Sequence, residues 1–252
     1  IIGDKPITFR TFDFGRDKFI DMLDMEIFHI DEIYQDMGGI KLCLENPEIL
    51  KTQFKALLRV STIHPIRIML PMLSNIAEVK ESKRIFNDAK SELMNKGTEP
   101  GEVSIGGMVE TKDILDHLDE LASEVEFFSI VTNDLANFLF DSSRKNSSIN
   151  SHYHPKMFET ITYILNIGEE HGLPVTVCGE MASDPYALIG LAAVGIRKIS
   201  VSTKSLPKVS KQVSKMDLTE LKNLKNIIFE SVDPETVLSI LKEYYNKFFI
   251  NT

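Results

Sequence analysis

Short β-branched runs and longer amphipathic stretches alternate along this chain from one end to the other. Residues 7–12 (ITFRTF) read as a strand. After a polar, glycine-containing region, Asn46-Pro47 opens a helix to about Ser61, with Ile49, Leu50, Phe54, Leu57 and Leu58 on one face. Ile66–Leu70 is the next strand, ended by Pro71. Asn75 and Glu78 have capping-box spacing ahead of a charged helix through Met94, which residues 96–101 break. Residues 103–109 and 125–131 are further strands, ending at Glu110 and at Thr132-Asn133-Asp134, with a helix to about Ser123 between them. A polar loop, 142–154, precedes a helix over 156–171 that Gly172 terminates. Residues 173–177 form a buried strand that hands over to Cys178, and Asp184-Pro185 starts a helix to Val194. Residues 198–201 read as one more strand, and two C-terminal helices remain, the second from Asp233-Pro234.

Strand and helix alternate with no long antiparallel pattern, which predicts a parallel α/β fold. The 252 residues suit a single (β/α)8 barrel over 1–252. Six strands are visible; a seventh and eighth fall within 20–41 or 135–155. Composition narrows the class further. No apolar run reaches the roughly 18 residues that span a bilayer, and no signal peptide opens the chain, so no membrane role is expected. Two cysteines make no disulfide framework, which sets a reducing cytoplasm as the default. A net charge of −9 argues against a nucleic-acid surface, yet leaves room for an anionic substrate held by a few arginines. The chain opens directly on a strand, as a domain taken from a longer protein would.

The candidate chemistry lies at the strand ends: Arg10, Glu110, Asn133, Asp134 and Cys178. In a barrel these positions converge on one mouth. Two carboxylates on neighbouring strands repel unless a cation lies between them, and a hard ion such as Mg2+ takes oxygen ligands from one or two carboxylates plus substrate phosphate. Arg10, with Arg144 in the loop that follows, would balance a phosphate or carboxylate. Capped strand ends and surface ion pairs account for any one of these residues; all five together are harder to account for that way. Five of the histidines (29, 64, 152, 154 and 171) share no metal-ligand spacing with the cysteines. Cys43, in an apolar run, belongs to the core, and Lys204, Lys208, Lys211 and Lys215 read as a solvated helix face.

Five segments in order carry a resemblance: Arg10-Thr11-Phe12-Asp13-Phe14-Gly15-Arg16-Asp17-Lys18, Arg67-Ile68-Met69-Leu70-Pro71-Met72, Gly107-Met108-Val109-Glu110-Thr111, residues 127–135 (FFSIVTNDL) and Cys178-Gly179-Glu180-Met181-Ala182-Ser183-Asp184. Over nearly the whole chain they resemble the C-terminal domain of enzyme I of the phosphoenolpyruvate:sugar phosphotransferase system. Asn46-Pro47-Glu48-Ile49, His154-Pro155-Lys156-Met157 and Gly179-Glu180-Met181 look closer to its nitrogen-regulatory paralogue. Pyruvate phosphate dikinase and phosphoenolpyruvate synthase are more distant members of the superfamily. The resemblance implies a phosphoenolpyruvate-binding barrel that dimerises. It also implies an N-terminal domain, absent from this chain, whose histidine takes the phosphoryl group and passes it to a small HPr-like phosphocarrier protein. Residue by residue, Glu110 and Asp134 match the Mg2+ ligands, Asn133 and Arg144 match substrate contacts, and Arg10 matches an arginine that grips the phosphate. Cys178 matches the acid that protonates C3 of the enolate as pyruvate forms, and a thiol near its reference pKa of about 8.5 is protonated at neutral pH.

The chain also departs from the family pattern. Gly38 stands where a second phosphate-gripping arginine is expected, with Lys41 at the arginine that follows; Arg16 and Val131 each replace a glycine. A charge-assisted hydrogen bond is worth roughly 1.5–3 kcal/mol, so losing that arginine costs about 10- to 100-fold in affinity. Arg16, on the loop after the first strand, is the candidate replacement for the missing guanidinium. Two other readings stay open at this point: a catalytically weakened domain that senses a metabolite, and a lyase or aldolase barrel acting on a pyruvate enolate.

Overall fold

The computed structural model describes residues 3–13, 38–140 and 151–249. The chain divides into two compact units, Ile1–Phe127 and Phe128–Thr252.

In the first unit, strands β1 (Ile7–Arg10), β2 (Ile66–Leu70) and β3 (Val103–Val109) are parallel, with Ile7 opposite Ile66 and Ile66 opposite Val103. Helices α1 (Gly39–Glu45), α2 (Pro47–Val60) and α3 (Ile76–Met94) intervene, and short helices α4 (Lys112–Leu115) and α5 (Leu118–Glu124) follow β3. Helix α2 buries Leu50, Phe54, Leu57 and Leu58, and Phe54 meets Phe86 of α3 edge to face, with ring centroids 5.4 Å apart. A fully buried Phe of this kind stabilises by about 1.5–3 kcal/mol over an exposed one. The capping box of α3 forms as its spacing requires, the Glu78 N–H donating to Asn75 Oδ1. Asn46 sits at the start of α2, but its amide donates back to Leu42 O instead of capping. Gly106 on β3 lies under Phe127: a Cβ there would stand 2.4 Å from the ring. On that same ring the Arg67 guanidinium stacks at 5.5 Å.

In the second unit, β4 (Phe128–Val131) and β5 (Val175–Cys178) are parallel, with Val131 opposite Cys178. Helix α6 (Thr132–Phe140) starts directly at the end of β4, and α7 (Pro155–Glu170) precedes β5. Gly172, at φ +68, ends α7 in a double turn, with Leu173 N–H donating to Gly168 O and Gly172 N–H to Glu169 O. After β5 come a 3-10 turn (Glu180–Ala182) and helices α8 (Ala187–Ala193), α9 (Leu206–Val213), α10 (Leu224–Glu230) and α11 (Pro234–Phe249).

Several expectations change. The strand expected over 125–131 is shorter, and Thr132-Asn133-Asp134, expected as its end, is the first turn of a helix. Asp184 does cap, its Oδ1 accepting from Tyr186 and Ala187 N–H groups, but α8 begins at Ala187. Residues 198–201 reduce to one parallel bridge, Val177 with Ile199, because only Lys198 O and Ser200 N reach β5. Three helices, not two, follow α8. The regions expected to hold further strands lie largely outside the described residues, and their described parts are helix, turn or coil. No helix among the described residues is long and apolar enough to cross a membrane.

Candidate functional site

In the first unit the strand ends carry Arg10 and Glu110. Arg10 is the last residue of β1, and its Nη1 pairs with Asp13 Oδ2 at 2.6 Å, so its guanidinium is engaged by a neighbour three residues on. Glu110 follows β3 and is 1% exposed. The Met72 N–H donates to its Oε1 at 2.6 Å. Met72 stands at φ +51, the one non-glycine residue in that region among those described. Such a backbone costs on the order of 1–3 kcal/mol and persists only where surroundings hold it. Here the surroundings are Glu110 and Thr111, whose hydroxyl donates to Leu73 O while capping α4. The turn after β2 is thus strapped to the end of β3 by two consecutive side chains. Gly38 is the residue before α1 and contributes no side chain there; Lys41 points to solvent.

In the second unit the β4–α6 and β5 ends interlock. Thr132, fully buried, donates to Cys178 O at 3.0 Å, and Asn133 Oδ1 accepts the Glu180 N–H at 2.9 Å. Gly179 between those contacts has φ +95, and a Cβ on it would lie 2.4 Å from Thr132 Oγ1. The Cys178 thiol is partly exposed, 3.4 Å from Ile130 O and 3.7 Å from Ser129 Oγ. Asp134 is half-buried in the first turn of α6, where the helix dipole favours a carboxylate. Asn133, Asp134 and Cys178 are therefore carried by a strand-to-helix junction and the strand paired with it. Val131 is half-buried opposite Cys178. Arg16 and Arg144 lie outside the described residues.

Sequence reasoning missed Ser129, Thr132 and the Met72 turn. Only Thr132 carried a signal, as a cap-forming residue beside Asn133. It also missed a part-buried polar contact of the second unit: Tyr153 Oη donates to Asp184 Oδ1 at 2.9 Å. Burial and the Asp184 charge push the Tyr153 phenol well up. His152 is 8% exposed; burial pushes its imidazole down, while Glu180 and Asp184 pull the other way.

Among the described residues no three His, Cys, Asp or Glu side chains gather as a metal cage. Glu110 in the first unit and Asp134 in the second each offer carboxylate oxygens, the donor type that a hard divalent ion such as Mg2+ takes.

Comparison with known proteins identifies the family. Residues 1–218 match the family described as PEP-utilising enzyme, PEP-binding domain. The chain is 34% identical over 247 residues to a phosphoenolpyruvate-protein phosphotransferase of Bacillus subtilis, covering 96% of this chain and 43% of that one. It is 30% identical to the protein of that name from Staphylococcus carnosus, over 95% of this chain and 42% of the relative. The chain thus spans less than half the length of these relatives. In fold it resembles a citrate lyase from Burkholderia xenovorans, with a TM-score of 0.50 at 16% identity over 80% of this chain and 67% of that one. A pyruvate kinase from Cryptosporidium parvum has the same TM-score at 14% identity, over 72% of this chain and 39% of the other. With the family pattern matched over residues 1–218 and two parallel α/β units behind it, the chain belongs to the PEP-binding domain family of PEP-utilising enzymes.

Proposed function

We propose that this chain is the phosphoenolpyruvate-binding part of a phosphoenolpyruvate-protein phosphotransferase. The observation that carries the reading is the match to the binding-domain family over 1–218, joined to relatives of that name over nearly the whole chain. In this reading residues 1–252 form one closed (β/α)8 barrel and pair as a homodimer in the cytoplasm. A histidine outside this chain takes the phosphoryl group and hands it to an HPr-like carrier. The nitrogen-regulatory branch is part of the proposal and rests on the local residues 46–49, 154–157 and 179–181. The relatives named above are phosphotransferases, which does not favour the sensor or lyase readings.

The roles follow from the chemistry of each residue. Arg10, with Arg144 and Arg16, would bind the phosphate and carboxylate of the substrate, and Asn133 would orient it. For Arg10 this requires exchanging Asp13 for the substrate. Glu110 and Asp134 would hold Mg2+, which when bound supplies positive charge to the phosphate and to the enolate oxygen. The bond between phosphorus and the enol oxygen breaks, the phosphoryl group goes to the histidine, and the electron pair stays on oxygen. Cys178 gives its proton to C3 of the resulting enolate, leaving a thiolate and pyruvate. The same step in reverse predicts that the chain exchanges the C3 hydrogens of pyruvate with deuterated solvent when Mg2+ is present. Cys178→Ser should reduce that exchange by two orders of magnitude or more, the scale (about 10²–10⁴-fold) of general acid–base catalysis. Exchange that survives in Cys178→Ser would remove the thiol from the reaction.

A further inference from the structure

Lys208, Lys211 and Lys215 line a cleft of about 280 Å3 in the second unit, together with Gln212, Tyr245 and Phe249. Residues 185–216 carry Arg197, Lys198, Lys204, Lys208, Lys211 and Lys215 and no Asp or Glu, in a chain of net charge −9. Lys208 and Lys211 are one turn apart on α9, Lys215 follows two residues after its end, and all three line the same cleft. None of the three forms an ion pair among the described residues, whereas Lys51, Lys55, Lys83, Lys156 and Lys247 all do.

The opposite wall is aromatic and held in place. Tyr245 and Phe249 are one turn apart on α11, with ring centroids 4.8 Å apart, and Tyr245 also meets Tyr186 edge to face at 5.1 Å. Gln212 is 6% exposed; its Nε2 donates to Pro185 O, and its Oε1 accepts nothing among the described residues. That bond anchors the Gln212 amide in the wall of the cleft.

We infer that this cleft binds a nucleoside diphosphate, with the phosphates on the lysines and the base against Tyr245 and Phe249. Lysines act as point charges toward phosphate, and an aromatic face stacks a planar base. A terminal phosphate carries about −1.5 to −2 at neutral pH, so a diphosphate approaches the charge of three ammonium groups. The volume lies just below the roughly 300–1,000 Å3 range of ligand pockets, so part of a bound nucleotide would remain in solvent and larger cofactors are excluded. Gln212 Oε1 would accept from an exocyclic amino group of the base. The inference stands apart from the phosphoenolpyruvate reading and uses none of its residues.

The test is calorimetric titration of the full chain with ADP, with adenosine and with inorganic phosphate, first without Mg2+ and again with Mg2+ and saturating phosphoenolpyruvate, which fills the other site. ADP should bind more tightly than either fragment and weaken as salt is raised. Each of Lys208→Gln, Lys211→Gln and Lys215→Gln should weaken ADP about tenfold, the order of one charge-assisted hydrogen bond. Tyr245→Leu should weaken ADP and adenosine and leave phosphate unchanged; Lys→Gln changes at exposed positions leave the fold intact, which circular dichroism checks. No ADP binding at low-millimolar concentration would overturn the inference. So would ADP binding that the lysine variants leave unchanged, or inorganic phosphate binding as tightly as ADP.

Discussion

Replacing Gly179 with alanine puts a methyl group where the protein has no space for one. The residue stands at φ +95, a region that costs a side-chain-bearing residue on the order of 1–3 kcal/mol. Its Cβ would lie 2.4 Å from Thr132 Oγ1, 2.9 Å from Asn133 Oδ1 and 3.1 Å from Thr132 N. Thr132 is fully buried and donates to Cys178 O at 3.0 Å, so relieving the clash breaks that bond. A buried hydroxyl left without its partner costs about 1–3 kcal/mol. The two effects together give about 2–6 kcal/mol, against a total stability of about 5–15 kcal/mol for a folded domain. The assay is urea unfolding, followed by circular dichroism, of the parent, Gly179→Ala, Thr132→Ala and the double variant. Thr132→Ala removes the atom that the new methyl meets, so the double variant should be more stable than additivity predicts, by about 1–2 kcal/mol. A Gly179→Ala change smaller than about 0.5 kcal/mol, or strict additivity, would refute the geometry argued for this junction.

Gly106→Ala should destabilise by about 1–3 kcal/mol through overpacking against Phe127, and Phe127→Leu in the same chain should recover part of it, both read by urea midpoint. Glu92, half-exposed between Lys51 and Lys55, has its carboxyl held down from 4.5 to about 2 by hydrogen bonds to both lysines. Its folded-state value is depressed, so its contribution is present above 4.5 and disappears as pH falls through about 2. Glu92→Gln should therefore lower thermal stability slightly at neutral pH and at low salt, with the gap closing at the acid end; a gap that widens on acidification would contradict this. Burial pushes the Cys43 thiol up to about 11, and it is 1% exposed. Iodoacetamide at mildly alkaline pH should accordingly label one thiol per native chain, and Cys178→Ser should abolish the labelling; two labelled thiols would sink that expectation.

Where periodicity and capping chemistry agree, the sequence is a good guide to this fold. The strands at 66–70 and 103–109 and the Asn75–Glu78 capping box are found where the pattern puts them. The failures have physical reasons. Thr, Asn and Asp side chains compete with the helix for backbone partners, so Thr132-Asn133-Asp134 reads as the end of a strand; here it is the first turn of α6. Residues 198–201 have strand composition, but only one residue pair bridges to β5. The candidate site was legible as residue types at strand ends, because charged and reactive side chains there are few. Its wiring was not: nothing in the sequence shows that Met72 N–H ties to Glu110 or that Thr132 reaches Cys178 across 46 residues. The Arg10–Asp13 pair, only three residues apart, could have been read and was not.

The central claim is that this chain binds phosphoenolpyruvate with Mg2+ through Glu110 and its companions. Calorimetric titration tests it most directly, since the chain has no Trp to report binding by fluorescence. Glu110→Gln is the variant of choice, because its amide oxygen can still accept the Met72 N–H while the carboxylate charge is gone. Binding that requires Mg2+ and is lost in Glu110→Gln is the predicted result. Absence of binding at millimolar phosphoenolpyruvate, or binding indifferent to both Mg2+ and Glu110→Gln, would contradict it.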